Sequence, residues 1–123
     1  MGSAANATVR SASSKSTIVK KTLIGVSVFG STCSIAARIT RDGKTTSNFL
    51  NYQGFPAHTC LSVNEQIVHG IPTSRRLEEG DILGVDAGAI YEGWHADAAI
   101  TFSIGDVPAD TKTLIEATER ALW

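Results

Sequence analysis

The sequence predicts an α/β domain of the α+β kind, an antiparallel sheet with flanking helices, on three observations. Residues 82–90 (ILGVDAGAI) and 95–102 (HADAAITF) are apolar runs joined by Tyr91-Glu92-Gly93-Trp94, a β-hairpin signal. Two shorter runs, 47–52 (SNFLNY) and 59–64 (TCLSVN), read as further strands around the turn Gly54-Phe55-Pro56. Segments with helical spacing lie on either side, at 34–42 and after Pro108.

The chain has 123 residues, 42% of them hydrophobic and 19% charged, which suits one globular domain with a core of moderate size. No run approaches the roughly 18 apolar residues of a membrane-crossing helix, so no membrane partner is expected. Cys33 and Cys60 have neither CxxC spacing nor the density of a disulfide scaffold, and both read as thiols in a reducing compartment. The net charge of −1 divides unevenly: residues 1–41 contain six bases and no acid, and residues 42–123 contain five bases and twelve acids. An acidic body repels phosphate and the basic front lacks interleaved aromatics, so nucleic acid is not an expected partner.

Residues 1–22 are rich in Ser, Thr and Ala without hydrophobic period, and 1–24 read as a disordered or targeting-like tail before a domain at 25–123. Residues 23–32 fit a strand or a glycine-broken link equally, and Ser34 to Asp42 fits a short helix stopped by Gly43. Gln66 to His69 reads as one more short β run, ended by Gly70-Ile71-Pro72. Pro108 opens the last helix, with Asp106 and Asp110 at its positive end and Val107, Leu114, Ile115, Thr118 and Leu122 along one face. That pattern is still running at Trp123, without a C-cap, so the sequence reads as cut.

Asp86 and Asp97 are the only acids inside the two hairpin runs, and no base lies between Asp81 and Lys112. A turn centred between Tyr91 and Glu92 sets the two aspartates directly opposite each other, where like charges repel. Divalent cations with a liking for oxygen, such as magnesium or manganese, would offset that repulsion. A proton shared between the carboxyls is the second explanation.

The segments NYQGFPAHTCLSVNEQIVHGIP (51–72) and EEGDILGVDAGAIYEGWHADAAITF (78–102) resemble the N-terminal half of type I methionine aminopeptidases. The resemblance implies the first half of a pita-bread fold, with a two-metal site between two pseudo-symmetric halves. It implies removal of N-terminal methionine from nascent polypeptides, at the ribosome and in the cytoplasm, or in an organelle if the basic front is a transit peptide. It assigns Asp86 and Asp97 as metal ligands for two divalent ions (cobalt, manganese, iron or zinc) and His69 as the catalytic residue that contacts substrate. Phe49, Tyr52, Phe55 and Cys60 would line the methionine pocket, since a thioether suits aromatic and sulfur neighbours. Asn64 falls where the family has a monovalent-cation site. His58 and His95 read as non-ligands, His95 as lying one strand position off the Asp97 face.

The family's other ligands, one histidine and two glutamates, belong to a C-terminal half that these residues do not contain. The isolated chain is therefore expected to bind metal weakly and to hydrolyse little. Two other functions compete: a pita-bread module that has lost catalysis and binds partners, and a creatinase- or prolidase-type peptidase. Retention of Asp86, Asp97 and His69 argues against the first, and the NYQGFP and HGIP motifs against the second.

Overall fold

A computed structural model describes residues 43–122. The regions read as tail, link and first helix, together with Cys33, lie outside them. Strand β1 is Thr45–Ser47, β2 is Thr59–Val63, β3 is Ile82–Tyr91 and β4 is Trp94–Ser103; helix α1 is Ala109–Leu122. β3 is the centre of an antiparallel sheet: β4 follows one edge for its whole length, while β2 and β1 share the other edge, beside residues 83–87 and 89–91 respectively.

The hairpin forms where its apolar runs predict it, with a different register. Tyr91 pairs with Trp94, so the turn is the two-residue link Glu92-Gly93, and Asp86 pairs with Ala99 while Gly88 pairs with Asp97. Both turn residues have positive φ, 49° and 82°, as a type I′ hairpin turn requires. Glutamate is not a usual first residue of such a turn, which is why composition points to a centre one residue earlier. The aspartates are thus diagonal neighbours on one face rather than directly opposed. Diagonal side chains lie about 7–8 Å apart at Cα, within reach of each other.

Residues 47–52 do not form a strand. β1 ends at Ser47, whose Oγ accepts from the backbone N–H of Phe49 at 3.1 Å and turns the chain. Asn51 and Gln53 then adopt left-handed backbone (φ 67° and 49°) around a short 3-10 turn, Tyr52–Gly54. Nor is there a strand at 66–69. The N–H of Gln66 bonds back to Val63 at 3.1 Å, the Gln66 Oε1 accepts from Val63 N–H at 2.9 Å, and His69 is left-handed at φ 57°.

Alternation along the strands separates two faces. Leu61, Val63 and Leu83 share one face and join Leu77 and Ile104 in the core, with Val85 and Phe102 packed against them. Below this core a polar clasp closes the base of the hairpin. Asp81, 7% exposed, accepts from Asn64 Nδ2 at 2.8 Å, Arg75 at 3.3 Å and the Glu78 N–H at 2.9 Å. Asn64 Oδ1 in turn accepts from the N–H of Ile82 at 2.9 Å. α1 begins directly after Pro108 as its sequence predicts, but none of its residues is buried: Ile115 is half-covered, and Leu114 and Leu122 are 66% and 73% exposed. Of the face expected to pack, Val107 and Ile115 are partly covered, and Leu114, Thr118 and Leu122 are exposed among the described residues.

Candidate functional site

The second face of the sheet carries the chemistry. Its side chains form rows across the strands: Cys60, Asp86 and Ala99, then Gly88 with Asp97, then Thr46, Ile90 and His95. The turn from Asn48 to Pro56 folds over the β1–β2 side of these rows. Between turn and sheet lies a cavity of about 710 Å³.

His69 reaches this cavity because of its neighbour. Gly70 is buried against β2: Leu61 N–H donates to its carbonyl at 2.8 Å, and its own N–H donates to Ser62 Oγ at 3.1 Å. A Cβ there would run into the Leu61 carbonyl, so only glycine lets residues 69–71 lie along the outer edge of β2. That course brings the imidazole close enough to Asp86 to favour its ionised form.

Phe49, Tyr52, Phe55, Cys60, His69, Asp86 and Asp97 all line the cavity, so the structure brings together every residue named for the site. Phe49 and Phe55 meet edge to face, with ring centroids 6.4 Å apart and planes at 86°. Cys60 is buried opposite Asp86; burial first, then the negative charges of Asp86 and Asp97, push its thiol pKa up, so it contributes a neutral, soft wall. Asn64, by contrast, lies outside the cavity and spends its amide on the clasp at Asp81 and Ile82.

Besides Gln53, Gly54 and Pro56, which lie between or beside the named turn residues, three cavity residues escape the sequence reading. His95 is expected off the Asp97 face, yet residues two apart in a strand point the same way, and both line the cavity. The period of two is the available signal. Ile71 follows from the path of Gly70. Asn48 has no signal, since its place depends on how β1 meets β3.

Asp86 is held above the ordinary carboxylate range, by burial first and then by the hydrogen bond and charge of Asp97, with His69 pulling the other way. Two crowded carboxylates in a half-covered cavity, one already resisting ionisation, are a donor pair suited to a hard divalent cation. Among the described residues no group of three or more His, Cys, Asp and Glu is arranged to hold a metal. By themselves the two carboxylates fall short of a full coordination shell.

The model of a known family, metallopeptidase family M24, matches residues 3–123. The chain belongs to this family. Methionine aminopeptidase 1 of Mycobacterium tuberculosis is 45% identical over 89 residues, covering 72% of this chain and 34% of that protein. Methionine aminopeptidase 1 of Bacillus subtilis is 44% identical over 89 residues, 72% of this chain and 36% of that protein. In structure, the chain is similar to methionine aminopeptidase from Rickettsia prowazekii, with TM-score 0.77 and 31% identity, over 89% of this chain and 44% of that one. The enzyme from Thermotoga maritima gives 0.75 and 33%, over 85% and 43%. The chain thus spans about a third of the length of these M24 relatives and under half of the solved chains.

Proposed function

We propose that this chain carries the methionine-binding wall and two of the metal ligands of an M24 aminopeptidase that removes N-terminal methionine from nascent polypeptides. The observation that supports it most is convergence: Asp86, Asp97, His69 and the wall of Phe49, Tyr52, Phe55 and Cys60 meet at one cavity. In this reading the edge-to-face phenylalanines and the neutral thiol of Cys60 enclose an unbranched thioether and exclude water from it. Asp86 and Asp97 would be this chain's ligands to two divalent ions, cobalt, manganese, iron or zinc. When bound, such ions polarise the scissile carbonyl as Lewis acids. His69, fixed by the path of Gly70, presents an imidazole N–H that donates to the substrate amide and steadies the charge that builds on it.

The remaining ligands and the proton-moving glutamate come, in this reading, from a C-terminal half. We place the protein's work in the cytoplasm. An organelle is the second reading, because two relatives are named mitochondrial and chloroplastic/mitochondrial. Concentration in an organelle of a reporter fused to residues 1–24 would decide for the second.

The test uses the full chain. Titrated with Mn²⁺ and followed by calorimetry, it should show weak binding that is lost in Asp86→Asn and Asp97→Asn. L-methioninamide should shift the ring signals of Phe49, Tyr52 and Phe55 in NMR spectra, and glutamic diamide should not. Equal response to both amides would overturn the methionine reading, and Mn²⁺ binding indifferent to both aspartates would overturn the metal reading.

A further inference from the structure

Gly88 is the cross-strand partner of Asp97, so the sheet face beside that carboxylate has no side chain of its own. The side chain of Asn48 fills the gap. Its Nδ2 lies 2.8 Å, its Cβ 2.9 Å and its Cγ 3.0 Å from where a Cβ on Gly88 would stand. A Cβ at that point would face the Cβ of Asp97 at about 4.5–5.5 Å, so the carboxamide sits within a side chain's reach of the carboxylate. Asn48 is fixed there by two bonds: its N–H donates to the Gly88 carbonyl at 3.1 Å, and Nδ2 donates to the carbonyl of Ala96, the residue before Asp97, at 3.4 Å.

The amide therefore has its nitrogen directed at a backbone acceptor, which sets the orientation of the group. Its oxygen is left over. Oδ1 is buried, without solvent contact and without a hydrogen-bond partner among the described residues, on a residue that lines the cavity. A buried carbonyl-type acceptor without a partner costs about 1–3 kcal/mol. The residue that carries this atom shares the cavity with Asp86 and Asp97, and the atom is a neutral, hard oxygen donor, the ligand type that carboxylate-held Mg²⁺, Mn²⁺ or Ca²⁺ recruits to complete its shell. The Asn χ2 torsion is broad, so a rotation that gives up the 3.4 Å bond to Ala96 brings Oδ1 toward a cation without a change of backbone.

We propose that Asn48 is a third cation ligand of this chain, its Oδ1 completing a hard-oxygen set with Asp86 and Asp97, and that Gly88 is the opening that admits it. The proposal rests on the reading of the two aspartates as metal ligands. A structural role for Asn48, through its bond to Ala96, predicts the opposite response to one substitution, and that separates the two.

The experiment is Mn²⁺ binding to the full chain, followed by calorimetry and by the electron paramagnetic resonance signal of free Mn²⁺. Asn48→Ala should weaken binding about ten-fold or more. Asn48→Asp keeps the oxygen, adds charge and removes the amide donor to Ala96. A ligand role predicts tighter binding than wild type, and a structural role predicts weaker binding. Gly88→Ala, which drives the carboxamide from its place, should weaken binding as Asn48→Ala does, with the melting temperature followed in parallel to show that each variant is folded. Unchanged or weakened binding in Asn48→Asp, while Asp97→Asn still abolishes it, would overturn the role of Asn48 and leave the aspartate pair standing. Binding unaffected by Asp86→Asn and Asp97→Asn would remove the reading beneath it.

Discussion

The two ends of one hairpin behave as different materials. At its base, Leu83 is 1% exposed against Phe102, β2 covers one edge, and Asp81 fastens the chain that leads in. Toward the turn, the same β4 strand is exposed from Trp94 to Thr101, and Trp94 and Ile100 are 81% and 55% exposed. Its outer edge has no strand partner among the described residues. Base and tip share backbone geometry and composition, so strand propensity does not distinguish them. What differs is how many layers lie on them, and the candidate ligands sit at the transition, Asp86 on the covered side and Asp97 on the open one.

The largest effect that would sharpen this contrast is at the base. Leu83→Ala should lower unfolding stability by about 2–5 kcal/mol, because it opens a cavity among Leu61, Leu77 and Ile104. Equal tolerance of Leu83→Ala and Trp94→Ser in chemical denaturation would break the contrast.

Next comes the clasp. Asp81→Ala should cost about 2–3 kcal/mol by stranding the Asn64 amide and the Glu78 N–H. Burial pushes the Asp81 carboxyl up, but the Glu78 and Asn64 hydrogen bonds and the Arg75 guanidinium outweigh it and hold the pKa below the ordinary value. A lowered folded pKa means that this stabilisation is present in full above the unfolded value of about 3.9 and is lost as pH falls through the folded one. Denaturation midpoints from pH 7 to pH 2 should therefore fall less steeply in Asp81→Asn than in wild type, and parallel curves would count against the clasp.

Gly70→Ala tests the join between base and site. It should cost about 1–3 kcal/mol through the clash with the Leu61 carbonyl and should move the His69 ring signals in NMR. At the tip the expected effects are smallest. Glu92→Asn, better suited to left-handed backbone, should stabilise by about 0.5–1 kcal/mol. Trp94→Ser should change stability by less than about 0.5 kcal/mol, while reducing any self-association seen by analytical ultracentrifugation.

The same contrast explains how much of the molecule is legible in its sequence. The hairpin is legible, because two apolar runs bounded by a Gly-bearing link leave little else. Its register is not, since a left-handed Glu92 carries no compositional mark. The parity of the side chains survives that error, which is why Asp86 and Asp97 are expected on one face and found there, although diagonal rather than opposed. The turn at 48–56 is hidden because Phe49, Leu50 and Tyr52 look like strand residues, and only Ser47 Oγ and two left-handed residues make them turn. The expectation for His95 ran against the plain period of two. Asn48 belongs to a kind of residue that sequence alone does not reveal, one whose meaning depends on an absent side chain forty positions away.

The two-residue turn at Glu92-Gly93 also sets an order in time. β3 and β4 are joined by the shortest link in the sheet, whereas β1 must find β3 across more than forty residues. A hairpin of this kind closes in about 1–10 μs, far faster than residues are added during synthesis at about 5–20 per second. Asp86 and Asp97 can thus be neighbours as soon as Ser103 has emerged, and by then every residue that lines the cavity, from Asn48 to Asp97, has been made. A nascent chain would carry its crowded pair of carboxylates before its own synthesis is complete.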